Sequence, residues 1–327
     1  MKKTIKIAIN ILICVLIGGF VWYMIISLQK NKFIIEDAKI IEKSDFVSPY
    51  RLISTFDMNS TIRCFDFYDD SFYISTEDSI FVYNLSGTKT HCFVTGSNVR
   101  DIKVKEDQIY LLYPTKIERY SLAGELIKFW KTCSENSDYC SIALSTEYVY
   151  ATDAENKNIC QYTKEGNLVR FIKSPQGFVI PSHSFDIIYI NDTLYCVNSG
   201  RHSIESYTLS GEFIASFGKA DNEAGGFAGC CNPAYIAGTS NGDIITSEKG
   251  TPRISCYGKN GKFRTILFNS ESLGGGNAAY KMTVYKDYIY IAGTKSISIY
   301  QFDPNIAGHS ACAGCTANCP LREGVNQ

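Results

Sequence analysis

Histidine is scarce in this chain, and an excess of either charge is missing. The 327 residues hold 32 Lys and Arg against 33 Asp and Glu, for a net charge of −1. Nucleic-acid binding needs a basic groove that displaces counterions from phosphates, so nucleic acid is not an expected partner. There are only four histidines, His91, His183, His202 and His309, and no two stand at a paired, metal-ligating spacing. No glycine-rich phosphate loop and no nucleophile elbow occur. After Leu28 no apolar pattern of helical period is found, which argues against an α-solenoid.

Long uncharged apolar runs are absent too, except for one. Residues 7–28 carry no charge, and at about 1.5 Å per residue a helix of this length crosses a hydrocarbon core of roughly 30 Å. Lys2, Lys3 and Lys6 precede it, while Glu36 and Asp37 soon follow, so the positive-inside rule puts the N-terminus in the cytoplasm and the rest outside. The run is longer than a usual signal-peptide core and no small-x-small cleavage site follows, which favours an uncleaved anchor. Ile13 before Cys14 argues against a lipoprotein site. The expected division is a cytoplasmic basic segment (1–6), a transmembrane helix (7–28), a linker (29–49), a β domain (50–305) and a cysteine-rich tail (306–327).

What the chain does have is a period. Tyr83-Asn84-Leu85-Ser86-Gly87 returns as Tyr120-Ser121-Leu122-Ala123-Gly124, Tyr162-Thr163-Lys164-Glu165-Gly166, Tyr207-Thr208-Leu209-Ser210-Gly211 and Tyr257-Gly258-Lys259-Asn260-Gly261. The glycines fall 37, 42, 45 and 50 residues apart, and a degenerate sixth copy begins at Tyr300. Spacings near forty mark repeat architectures. Tyr and Phe, 22 and 19 of them, lean the composition towards strands. Each unit resolves into four strands; in the second they are 99–104, 108–113, 116–120 and 126–130, with turns at Lys105-Glu106-Asp107 and at Gly124. The glycine supplies a positive φ between third and fourth strands. The sixth unit lacks a fourth strand, and Tyr50–Phe56 is a strand without a unit. Pairing the two closes a ring of six four-stranded blades and removes an open edge.

The fifth unit carries a likeness. Gly225-Gly226-Phe227 leads to Asn232-Pro233-Ala234-Tyr235-Ile236-Ala237; Asn241-Gly242-Asp243 turns into a second strand, Arg253-Ile254-Ser255-Cys256-Tyr257 is the third, and Gly258-Lys259-Asn260-Gly261-Lys262-Phe263 leads to the fourth. This resembles the NHL-repeat six-bladed propellers, and the fourth unit is similar. The resemblance implies the fold and leaves function open, because propellers host many activities. Propellers of related shape include lactonases and amidating lyases, whose sites need metal ligands converging on the central channel. The histidines do not provide that pattern. His202 reads as a solvated turn residue, and Asp101, Asp153, Asp186 and Asp243 read as turn and cap residues. The leading expectation is therefore a binding or scaffolding module with a protein partner; a lactonase- or lyase-like enzyme is the alternative.

Thirteen cysteines are many for a domain expected outside the cytoplasm. Cys64, Cys92, Cys160, Cys196 and Cys256 sit in strand-like segments and read as small buried side chains. Cys133 and Cys140 flank a polar loop that a disulfide could close. Cys230 and Cys231 are adjacent, and Cys312, Cys315 and Cys319 lie in a small-residue tail beyond the last blade. The tail spacing C-x2-C-x3-C-P resembles the end of the bacterial ferredoxin run, with His309 where its first cysteine would stand. Thiolates are soft, charged donors for zinc or an iron–sulfur cluster. The candidate ligands are Cys230, Cys231, Cys312, Cys315, Cys319 and His309. Disulfides between the tail and the fifth unit, or a tail with no metal, are the other readings.

Overall fold

The structure, a computed structural model, describes residues 16–26 and 46–306. It divides into two compact units, Met1–Val47 and Ser48–Gln327. In the first, residues 16–26 are helical, with every side chain exposed. The rest of the expected span, 7–15 and 27–28, lies outside the described residues, as do the basic segment and most of the linker. Among the described residues no helix is long and apolar enough to cross a membrane.

The second unit is all-β, and its six four-stranded antiparallel sheets are the blades of a propeller. Strand β1 is Tyr50–Asp57. Blade 1 holds β2 to β5 (residues 64–94), blade 2 β6 to β9 (101–131) and blade 3 β10 to β13 (139–172). Blade 4 holds β14 to β17 (187–217) and blade 5 β18 to β21 (235–268). Blade 6 has three strands of its own, β22 to β24 (282–302), and takes β1 as its outer strand. Tyr50 pairs with Phe302 and Asp57 with Ser296, so the ring closes as the unpartnered N-terminal strand led us to expect.

Local chemistry explains the hairpins. The first and second strands of blades 1, 2 and 4 are joined by Asp69-Asp70, Glu106-Asp107 and Asn191-Asp192, and all six residues have positive φ. Two such residues in a row make a type I′ turn, whose twist matches that of the flanking strands. At the outer hairpins the repeated tyrosine and glycine have separate roles. The register shifts by one residue at Tyr83, Tyr120, Tyr162, Tyr207 and Tyr257, a bulge whose extra residue lies in the fourth strand just after its turn. Gly87, Gly124, Gly166, Gly211 and Gly261 then take φ values between +76° and +85°. A Cβ on Gly166 would lie 2.7 Å from Trp130, and one on Gly211 would lie 2.6 Å from Ile172. In each case the neighbour belongs to the outer strand of the preceding blade, so the bare turn lets one blade sit on the next.

The core lies between blades, in six apolar clusters that each span one blade interface. Burial is therefore satisfied away from the axis. That leaves the axis free to hold polar groups.

Candidate functional site

Six innermost strands, β2, β6, β10, β14, β18 and β22, run side by side around the axis. Alternation along them sends every second residue inward, and several of these are charged. Asp66 lies between Phe65 and Phe67 in β2 (Cys64–Tyr68); Asp101 and Lys103 flank Ile102 in β6 (Asp101–Lys105). Asp186 precedes β14 and Lys281 precedes β22.

Three of these carboxylates reach forward to the next blade. Asp66 Oδ2 accepts from Val104 N at 2.8 Å, Asp101 Oδ2 from Ile142 N at 3.0 Å, and Asp186 Oδ2 from Ile236 N at 2.8 Å. Ser141 Oγ contacts both Asp101 (2.8 Å) and Asp186 (2.6 Å). Lys281 stretches from blade 6 past blade 1 to donate to Arg100 O at 3.0 Å and Asp101 Oδ1 at 3.1 Å. The axis is thus crossed by a network in which carboxylates are spent on amides and ammonium groups.

Its electrostatics follow. Burial alone would raise Asp101, but the Lys281 and Lys103 ammonium groups and the bonds from Ile142 and Ser141 outweigh it and hold the carboxyl below its ordinary range. Asp186 is pushed up by burial and then by the Asp101 charge. Asp66 is raised by burial, against Lys103. Burial opposes charge on Lys103 and Lys281, yet the surrounding carboxylates, Asp101 foremost, raise both. Of the pair sharing Ser141, Asp101 keeps the negative charge because a lysine touches it, and Asp186 takes a proton more readily.

The network separates two concavities. Where the innermost strands begin, a funnel of about 230 Å³ is lined by Arg100, Ser141, Ser182, His183, Asp186 and Lys281, among others. Asp138 binds Arg100 at 2.9 Å and lies 3.3 Å from His183 Nδ1. His183 is exposed and has φ +56°, a left-handed conformation uncommon outside glycine. Where the strands end, a cup of about 190 Å³ is lined by Ala143, Leu144, Ile188, Ile190, Ile236, Ala237, Met282 and Val284, with Lys103, Lys105 and Tyr189, and the surface it exposes is as polar as the funnel's. The Lys105 ammonium sits 5.3 Å from the centre of the Tyr189 ring.

The residues singled out from sequence are partly elsewhere. Cys230 and Cys231 lie in the loop before β18, their sulfurs 3.2 Å apart, Cys230 exposed and Cys231 buried. Burial raises the Cys231 thiol, but bonds from Ser182, Lys249 and Cys230 outweigh it and bring its pKa down. Lys249 Nζ also donates to Ser182 Oγ at 2.7 Å, which sets the cysteine loop beside the funnel. His202 is no free turn residue: its Nε2 contacts Gly229 O at 2.6 Å and ties down the same loop. His309, Cys312, Cys315 and Cys319 lie outside the described residues. Among the described residues no group of three or more His, Cys, Asp or Glu side chains is placed to hold a metal, so Cys230 and Cys231 alone do not complete a zinc or iron–sulfur donor set.

Other expectations need correction. Cys64, Cys160, Cys196 and Cys256 are buried as expected, but Cys92 is exposed on the outer strand β5 (Lys89–Val94). Cys133 lies against Cys160 at 3.4 Å, while the Cys140 thiol donates to Asp138 O. Asp153 does cap its turn, accepting from Asn156 N at 3.2 Å. Asp101 and Asp186 are axial residues instead, and Lys281 and Lys103 were missed. The signal for Asp66 and Lys103 was a charge in an apolar-alternating inner strand.

No protein-family model matches the chain, and no curated protein matches it. Solved structures do. A catalytically inactive virginiamycin B lyase from Staphylococcus aureus with quinupristin superposes with a TM-score of 0.55 at 16% identity, covering 78% of this chain and 100% of that one. U3-55K matches with a TM-score of 0.55 at 11% identity (79% and 81% covered). A Bacteroides thetaiotaomicron protein of unknown function gives 0.54 at 12% (79% and 73%). At these identities what the chain shares with all three is the propeller fold.

Proposed function

We propose that this chain is a binding module held at a membrane by residues 7–28, and that the cup at the far end of the axis receives a protruding segment of a partner protein. One observation carries the reading. The cup is an open concavity at the axis where aliphatic residues of blades 2 to 6 stand beside Lys103, Lys105 and Tyr189, and a mixed lining of this kind offers a partner both apolar contact and fixed polar groups. The axial carboxylates beneath it are engaged by backbone amides and lysines, which suits a rigid receptor. The test is photo-crosslinking of the full-length protein in its native membrane, with a benzophenone side chain replacing Tyr189. A discrete protein adduct is expected, lost on Val284→Arg and absent when the probe replaces exposed Val94 on an outer strand. Equal adducts at both positions, or none at 189, would sink the proposal.

An enzyme of the lyase kind is the second reading, favoured by the funnel. There His183, in left-handed backbone, contacts Asp138, an arrangement in which a carboxylate orients a general base. The shared fold with a lyase is compatible with this and carries no residue across. The tail thiols Cys312, Cys315 and Cys319, with His309, Cys230 and Cys231, are the proposed ligands of a zinc or iron–sulfur centre. Metal analysis of the full chain tests that, and a metal-free protein with a colourless spectrum rejects it.

A further inference from the structure

Cys133 and Cys160 belong to different blades, yet their sulfurs lie 3.4 Å apart. Cys133 is exposed, just after β9 (Leu126–Lys131), and Cys160 is fully buried in β12 (Asn158–Thr163). Cys160 belongs to the apolar cluster between blades 2 and 3, beside Trp130, Tyr139 and Tyr162. The Tyr139 hydroxyl lies 3.8 Å from Cys133 Sγ, and Cys160 also donates to Asn158 Oδ1 at 3.4 Å. Nothing polar separates the two sulfurs. A covalent bond of about 2.05 Å requires a further approach of about 1.4 Å, within the reach of a loop residue changing its side-chain angle.

We propose that Cys133 and Cys160 join in a disulfide that staples blade 2 to blade 3. The reaction is thiol–disulfide exchange with an external disulfide. The Cys133 thiolate, on the accessible side, attacks one sulfur of the oxidant, whose S–S bond breaks and whose first thiol leaves. Cys160 then attacks the Cys133 sulfur of the mixed disulfide, and the second thiol of the oxidant departs. Two S–H bonds are lost, one S–S bond forms, and the two electrons and two protons end on the reduced oxidant. Burial, and then the neighbouring Cys133 charge, raise the Cys160 thiol far above its usual range, so closure is slow in the folded protein and the finished bond resists reduction. The staple crosses the interface where Gly166 rests on Trp130.

The test uses the full chain in detergent, incubated with oxidised glutathione, followed by blocking of free thiols and non-reducing peptide mapping. A linked peptide pair containing Cys133 and Cys160 is expected. Reduction, or the Cys133→Ser variant, should then lower the melting temperature by about 6–12 °C. Cys133 recovered as a stable glutathione adduct, linked to Cys140 or another cysteine, or still free after equilibration would overturn the proposal. Mapping of the unsubstituted protein decides the matter even if a variant folds poorly.

Discussion

At the rim, five glycine turns each rest on an apolar side chain of the preceding blade; at the axis, Asp66, Asp101 and Asp186 reach forward to an amide of a following blade. The rim contact is apolar and made by residues that the chain brings round once per repeat. The axial contact is charged, differs from blade to blade, and depends on partners far apart in sequence. The same ring is thus closed twice, by packing outside and by electrostatics inside. Packing tolerates small changes locally, whereas a buried charge has no cheap substitute when its partner is removed.

The most severe way to break the comparison is Lys281→Met. It leaves the Asp101 carboxylate buried with one counter-charge fewer, and the loss in unfolding free energy should be about 3–5 kcal/mol by denaturant titration. Adding Asp101→Asn should restore a large part of it; a double variant as unstable as the single would mean that Lys281 acts through packing alone. The rim should respond less. Gly166→Ala combines φ +85° with a Cβ 2.7 Å from Trp130 and should cost about 2–3 kcal/mol. Gly177→Ala has a similar φ of +77° with nothing within 4 Å, and should cost only about 1 kcal/mol. Equal costs would show that the stack on Trp130 is not what the glycine serves.

The smallest effect is in pH. Asp186 and Asp66 have folded-state values above the ordinary 3.8, so protonating them favours the folded chain, and stability should rise as pH falls from neutral towards 3.8. Asp101 is depressed, so its contribution is present above 3.8 and lost as pH falls below that through its folded-state value. The melting temperature should therefore pass through a shallow maximum. Asp186→Asn should shrink the acid-side rise, and Asp101→Asn the fall below it. A profile unchanged by either variant would remove both groups from the linkage.

Much of the rim was legible in the sequence because its determinants are local. The tyrosine and the left-handed glycine of each outer hairpin lie within five consecutive residues, and their recurrence announced the blades. The closing strand was legible by elimination, since Tyr50–Phe56 had no unit and the sixth unit no fourth strand. The axis was not. Lys281 and Asp101 meet only after five blades have turned around the ring, and no spacing in the chain signals it. Cys133 was read against Cys140 because they are neighbours in sequence, but strand pairing turns Cys140 away and sets Cys160 opposite.

By itself the sequence determined the strand period, the turn types and the count of blades, because these rest on backbone preferences that a few adjacent residues dictate. It also marked residues 7–28 and the tail cysteines as features apart from the blades. Only the tertiary structure decided which charges face one another across the axis, which sulfurs touch, and which residues line each mouth. Those depend on closure, which sets side by side residues that the chain holds far apart, in a low-dielectric space where a pairing has consequences.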